Sequence, residues 1–348
     1  MTPAEALIAL LRVDGPRTPP QEVLSALPAL VDRHGVPGLV LDALRGVDVP
    51  QETLAALRAQ RRRAVIDGLR VERTRDRALA LLVGAGVRVA VLKGALLLPL
   101  LYGGAFGGGA RRVNDVDLLV SPPHQERAHR VLLGAGFRHV PKPPGRPASQ
   151  RAAYERTYVR PGDAAVDVHV AFADPARLRL DHGVLLDRGA RGGSGETLLA
   201  DDDVLLSLAV HLGQDCFAGP LRGLVDVAWW LARRHPDLER AASTARAAGA
   251  ATVLWLALRL AHERLGAPAD PSVVAVLTPP RPRRDWLERL YGGSGAPYPF
   301  LHEKRGAQLL ALYPLLDGHR ARARFTLRQA TLRVQDRWER ARWGPARR

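Results

Sequence analysis

The sequence predicts an α/β fold: a small mixed sheet within about residues 85–175, preceded by a helical region (1–84) and followed by a helical domain (197–348). Three observations carry this. Short runs at 87–92, 115–120 and 165–172 have the length and β-branched content of strands. Residues 51–84 carry apolar positions at helical spacing instead. From about 197 onward the helical spacing returns and persists.

In chain order, 4–12, 20–33 and 51–84 read as amphipathic helices separated by Pro and Gly punctuation. In the third, Thr53, Leu54, Ala56 and Leu57 begin an apolar stripe, and Arg61-Arg62-Arg63 falls on its wet face. The strand 87–92 ends at Lys93-Gly94 and passes directly into a helical run, 95–102. Residues 103–109 are too glycine-rich to form an element by themselves. A second strand spans 115–120, a helix 123–134 is closed by Gly134 and Gly136, and 137–140 reads as a third strand. After a Pro-rich loop at 141–147, residues 154–160 and 165–172 alternate as a hairpin turning at Pro161-Gly162-Asp163. Helices follow at 202–213, 221–234, 237–248 and 251–265. An irregular connection over 267–300 then leads to a long basic helix at about 305–340.

An apolar fraction of 47% with 25% charged residues is that of a folded globular chain and excludes wholesale disorder. The net charge of +16 rests on arginine, since Lys93, Lys142 and Lys304 are the only lysines among 51 basic residues. Two readings of that charge stand: arginines spread over a solvated surface, or a patch for a phosphate-bearing partner such as a nucleotide, a nucleic acid or a membrane surface. A continuous arginine face on the last helix (Arg320, Arg322, Arg324, Arg328, Arg333) would favour the second. Cys216 is alone, so an internal disulfide and a Cys/His metal cluster built on it are excluded. No apolar run reaches about 18 residues, Arg88 and Lys93 interrupting the longest, so no membrane span is expected. The short apolar stretch 6–11 lacks a basic flank and a cleavage site, so a cytoplasmic location without a signal peptide is expected.

Strand alternation places Asp115 and Asp117 on one face, opposite Val116 and Leu118. Two carboxylates there repel each other and lose hydration on burial, and a divalent cation between them removes both penalties; solvated turn acids are the alternative. Asp167 and His169 likewise share a face opposite Val166, Val168 and Val170, which fits either a second part of the same site or a half-exposed edge strand. Lys93-Gly94 lies where a strand meets a helix N-terminus, a place suited to phosphate, although a lysine snorkelling from a strand end is equally compatible. Arg222 and Asp226 are four apart on a helix and read as a surface ion pair, and Trp229 and Trp230 as core.

Taken together, VLKGALLLPLLYGG (91–104), ARRVNDVDLLV (110–120) and AVDVHVAF (165–172) resemble the NTP_transf_5 family of uncharacterised nucleotidyltransferases, within the polymerase-β-like superfamily. Lys93, Gly94, Tyr102, Arg111, Asp115, Asp117, Asp167 and His169 fall on matching positions, and the likeness extends over about 85–235, to His211, Arg222 and Asp226. Three departures stand out: a more glycine-rich loop before Asp115, Val170 in place of an aromatic residue, and Gln214-Asp215 where a second histidine is expected.

The resemblance implies a nucleotidyltransferase core at 85–175. That core would move an NMP from an NTP, ATP among them, to an acceptor (small molecule, peptide, protein or tRNA) with release of pyrophosphate. It further implies Asp115, Asp117 and Asp167 as ligands of Mg²⁺ or Mn²⁺, Lys93, Gly94 and Arg111 on the nucleotide, and His169 orienting Asp167 or acting as a base. His211, Arg222 and Asp226 would lie on the acceptor side. The competing functions are a non-catalytic nucleic-acid- or nucleotide-binding module on the same fold and a toxin-type nucleotidyltransferase. On the metal reading, Asp117→Asn is expected to hold or raise stability without metal, because it relieves carboxylate repulsion.

Overall fold

A computed structural model of the chain describes residues 1–103, 109–141, 154–175, 177–291 and 313–343. Helices α1 (Pro3–Leu10), α2 (Leu27–His34), α3 (Pro37–Ala43) and α4 (Gln51–Gly84) precede the sheet. Its strands are β1 (Val89–Leu92), β2 (Asp115–Val120), β3 (Arg138–Val140), β4 (Glu155–Val159), β5 (Ala165–His169), β6 (Ala190–Arg191) and β7 (Thr197–Leu198). They lie in the order β3-β4-β5-β2-β1-β7-β6. β5 runs parallel to β2 and β7 parallel to β1, while the remaining neighbours are antiparallel, so the sheet is mixed as expected. Between and after the strands come α5 (Lys93–Leu101), α6 (Gln125–Gly134), α7 (His182–Arg188), α8 (Asp201–Gln214), α9 (Arg222–Arg234), α10 (Leu238–Ala248), α11 (Ala251–Leu265), α12 (Pro271–Leu277), α13 (Arg281–Tyr291) and α14 (Gly318–Trp343).

The alternation of β2 and β5 sorts the molecule into two layers. Val116, Leu118, Val120, Val166 and Val168 face one way and bury against α4 (Val71, Ala78, Leu79, Leu82) and α6 (Ala128, Leu132). On the other face Ala90, Leu92 and Leu119 join a larger core to which both α1–α3 and α8–α11 contribute. The helices before and after the sheet therefore share one apolar cluster, on the same side of the sheet as Asp115 and Asp117. Helix α3 crosses the approach to β2 very closely. Gly38 N and Leu39 N both donate to Ala110 O at 3.1 Å. A Cβ on Gly38 would lie 2.5 Å from Gly109 O, so only glycine fits.

Several expectations need correction. Residues 20–33 are not one helix but a 3-10 turn (Gln21–Ala26) followed by α2, because Pro28 suits the first turn of a new helix. The helix after β1 begins at Lys93 itself. The stretch 267–300 holds two helices: Asp270 caps α12 ahead of Pro271, and Pro282 sits in the first turn of α13, so these prolines start helices rather than prevent them. Of the expected basic helix, 305–312 lie outside the described residues; a helical turn at 313–315 breaks before Asp317, which is tied to Thr252 N (3.1 Å) and Arg283 (2.9 Å), and α14 then starts at Gly318. Helices α3 and α7 and the β6–β7 ribbon were not anticipated. Most of the glycine-rich stretch (104–108), the Pro-rich loop with its flank (142–153), residue 176, and 292–312 and 344–348 lie outside the described residues.

Of the expected arginine face on α14, Arg320 is exposed, Arg322 stacks over Tyr313 and Arg324 is half-buried, while the side chains of Arg328 and Arg333 lie outside the described residues. Elsewhere arginines serve buried acids, as where Arg73, Arg77 and Arg160 converge on Asp163. No helix among the described residues is long and apolar enough to cross a membrane.

Candidate active site

At the end of β1 the chain turns sharply. Leu92 is extended, but Lys93 has φ +49°, a left-handed conformation that costs a non-glycine residue on the order of 1–2 kcal/mol. Lys93 Nζ donates to Asp117 Oδ1 at 2.6 Å. Gly94 follows under Val113, whose methyl carbons lie 2.7 and 2.9 Å from where a Cβ would be. The glycine thus lets the segment carrying Arg111 and Val113 close over the start of α5.

The three acids share one face of two adjacent parallel strands. Asp117 and Asp167 are Cα partners across β2 and β5, and Asp115 lies two residues before Asp117. Strand β4 adds Thr157, opposite Asp167, and Glu155, opposite His169. Thr157 Oγ1 donates to Asp167 Oδ1 at 2.5 Å and His169 Nε2 donates to Asp117 Oδ1 at 2.8 Å. Glu155 Oε2 stands 3.8 Å from the other ring nitrogen.

The electrostatics separate these carboxylates. Burial alone would raise the pKa of Asp117, but Lys93 and His169 hold it well below the usual range. Asp115 and Asp167 are pushed up, first by burial and then by neighbouring carboxylates, Asp117 foremost. Lys93 is raised in spite of its burial by Asp117.

Among the described residues no three His, Cys, Asp or Glu side chains are gathered closely enough to grip a metal ion as they stand. The donor chemistry still fits one. Three carboxylates share this face, and burial first and then mutual repulsion raise Asp115 and Asp167, two costs that a divalent cation would offset.

Asp115 and Asp117 open into a cleft of about 240 Å³ between the sheet and helices α8 and α9. Lys93, Gly94 and Arg111 line the sheet wall, and His211, Asp215 and Arg222 the helical wall. Asp167 and His169 are not part of this lining. His211 Nδ1 is buried without a hydrogen-bond partner, and burial, then Lys93, pulls the pKa of the ring down to about 3.

Asp226 is not in a surface pair with Arg222. It is buried and accepts from Arg111 Nη2 at 2.7 Å and from the Tyr102 hydroxyl at 2.8 Å. Arg111 also donates to Arg112 O at 3.0 Å. A charged network thus fastens the loop before β2 to α9.

Residues 21–266 match the NTP_transf_5 family, described as uncharacterised nucleotidyltransferase. The chain belongs to this family. No curated protein matches it.

The NTP_transf_5 match runs well beyond 85–235, from the turn before α2 to the end of α11, so it takes in both walls of the cleft. In this NTP_transf_5 protein, Lys93, Gly94, Arg111, Asp115 and Asp117 meet at the sheet wall, Asp167 and His169 sit beside them, and His211 and Arg222 stand opposite. Asp226 serves to anchor Arg111. Sequence reasoning missed Thr157, Glu155, Arg112 and Asp215. The first two could have been found from the hairpin, whose register sets them against Asp167 and His169. Trp230 is core, its Nε1 donating to Asp201 O at 2.8 Å.

Proposed function

We propose that the protein transfers a nucleoside monophosphate from an NTP to an acceptor, releasing pyrophosphate, in a reaction that depends on Mg²⁺ or Mn²⁺. The observation that supports this best is the placing of Asp115, Asp117 and Asp167 on one face of paired parallel strands at a polar cleft. These carboxylates would hold divalent cations, whose contribution is charge stabilisation of the attacking and leaving oxygens at the α-phosphate.

The chain's own residues prepare that arrangement. Lys93 and His169 keep Asp117 ionised and aimed, and the Thr157 hydroxyl fixes Asp167. Arg111, held in place by Asp226, would present a fixed guanidinium edge to the cleft, with its charge largely balanced by that carboxylate. Asp167 lies on the β4 side of the other two acids, so the acceptor would approach from that side. A non-catalytic binding module has no comparable support, because it gives no reason to crowd three acids on a buried face.

The test is to incubate candidate acceptors with each NTP and Mg²⁺ and read acceptor mass and pyrophosphate. A mass gain equal to an NMP, matched by pyrophosphate, is expected. Asp117→Asn should lower transfer by several orders of magnitude, and full transfer by that variant would remove this carboxylate from the site.

A further inference from the structure

We infer that the β- and γ-phosphates of the NTP are held by the helical wall of the cleft, by Arg222 and the first turn of α9. This rests on the nucleotidyl-transfer reading above and assigns its polyphosphate subsite.

Most cations at the cleft already have carboxylate partners. Lys93 is bound to Asp117, Arg111 to Asp226 and Arg112 to Asp32 at 2.8 Å. Arg222 lines the same cleft and, among the described residues, makes no hydrogen bond or ion pair. It is half-buried, and burial, followed by repulsion from Arg111, lowers its pKa. Asp226 and Asp115 offset part of that cost from a distance, but neither forms an ion pair with Arg222, so an anion in the cleft would lower its energy further. Arginine is also the side chain whose fork matches phosphate oxygens.

Two further features point to the same place. Helix α9 is 13 residues long, no side chain caps its first turn, and Arg222 and Gly223 of that turn line the cleft. The start of such a helix carries partial positive charge and N–H groups suited to phosphate. Its position is fixed from outside, since Leu221 N donates to His34 Nδ1 of α2 at 3.2 Å. His211, on the neighbouring helix α8, lines the cleft with a buried Nδ1 that has no partner. A neutral ring there supplies one hydrogen bond to a ligand without adding a charge.

The choice of polyphosphate over an anionic acceptor follows from the charge map. Asp115 and Arg222 line the same cleft of about 240 Å³, one on the sheet wall and one on the helical wall. An anion against Arg222 therefore sits in the same field as the carboxylates that would hold the cations on the reacting phosphate. Lys93, bound to Asp117, stands on the sheet wall across the cleft from Arg222.

The experiment uses the full chain in Mg²⁺ and calorimetric titration with pyrophosphate, an α,β-methylene NTP and the matching NMP. Arg222→Gln should weaken pyrophosphate and the NTP analogue about 10- to 100-fold and leave the NMP unchanged. Arg222→Lys keeps the charge but loses the fork, so an intermediate loss is expected. It also carries the test should Arg222→Gln fail to fold. Unchanged pyrophosphate affinity in either folded variant, or an equal loss for the NMP, overturns the assignment, even if the parent transfers nucleotides. A parent that binds pyrophosphate through Arg222 yet binds no NTP analogue overturns the nucleotidyl-transfer reading and leaves a polyphosphate site.

Discussion

Asp117 receives Lys93 and His169 on a single oxygen, and this changes what its neutralisation should do. Read from sequence, Asp117→Asn relieves the repulsion between Asp115 and Asp117 when no metal is bound. In the structure it removes the counter-ion of a largely buried ammonium. A carboxylate whose pKa is depressed on folding contributes stability above its unfolded value of 3.8, lost as pH falls through the folded value. At neutral pH and in chelator, Asp117→Asn should therefore lower stability by roughly 1–3 kcal/mol, discounted for the partial exposure of Lys93. Chemical denaturation reads this directly, and an unchanged or higher midpoint contradicts it. Gly94→Ala, which drives a methyl into Val113, should cost about 1–3 kcal/mol, with much of the loss recovered in Gly94→Ala/Val113→Ala. If the double variant melts no higher than Gly94→Ala, the close approach is not the cause. The acid pair itself was legible because strand alternation is local. Asp226 was not, since Arg222 four residues away offered a nearby partner while the real one, Arg111, lies far off in the chain.

At the scale of elements, helices with an uninterrupted apolar stripe were legible nearly to the residue, as α4 and α11 were. Proline misled at α12 and α13, where it occupies first turns, and at α2, where it starts a second helix inside an expected single one. The link between α9 and the sheet was invisible because it depends on burying a charged network. Asp226→Ala leaves Arg111 without its carboxylate in a buried position and should cost about 3–5 kcal/mol. Replacing both partners with apolar residues, Arg111→Met/Asp226→Leu, should recover most of that stability and none of the transfer activity. Denaturation midpoints of the two variants check it. A single variant as stable as the parent shows the pair is not holding α9 in place.

For the whole molecule, the mixed-sheet α/β fold with helical regions before and after it was read correctly from the change of texture along the chain, but not the core shared by its first and last helices. Histidines stitch that core. His34 accepts from Leu221 N and His182 Nε2 accepts from Phe172 N at 2.9 Å, and burial brings the pKa of each to about 4, and of His211 to about 3. Each ring binds a proton more readily when unfolded, with a value of 6.5, so its contribution is complete above about pH 6.5 and is lost as pH falls toward 4. Protonating His34 or His182 should each cost on the order of 2–3 kcal/mol. Asp115 and Asp167, with raised values, work in the opposite direction, but only as pH approaches the carboxylate range. Melting temperature should thus fall steadily from pH 6.5 to about 5, and His182→Gln should flatten the slope. A flat profile for the parent would contradict these buried neutral rings.

Because ribosomes deliver a chain from its N-terminus, the two-sided sheet also sets a timetable. The layer of Val116, Leu118, Val166 and Val168 against α4 and α6 has all its parts once β5 has emerged. The opposite layer waits for α8, α9 and α11, so α1–α3 and the acid-bearing face have no lid until nearly a hundred further residues are made. During that interval the nascent chain presents Leu7, Leu24, Leu92 and Leu119 to solvent or to whatever chaperone meets it. A stalled or truncated product ending before α8 would be half a protein with one finished face and one adhesive one.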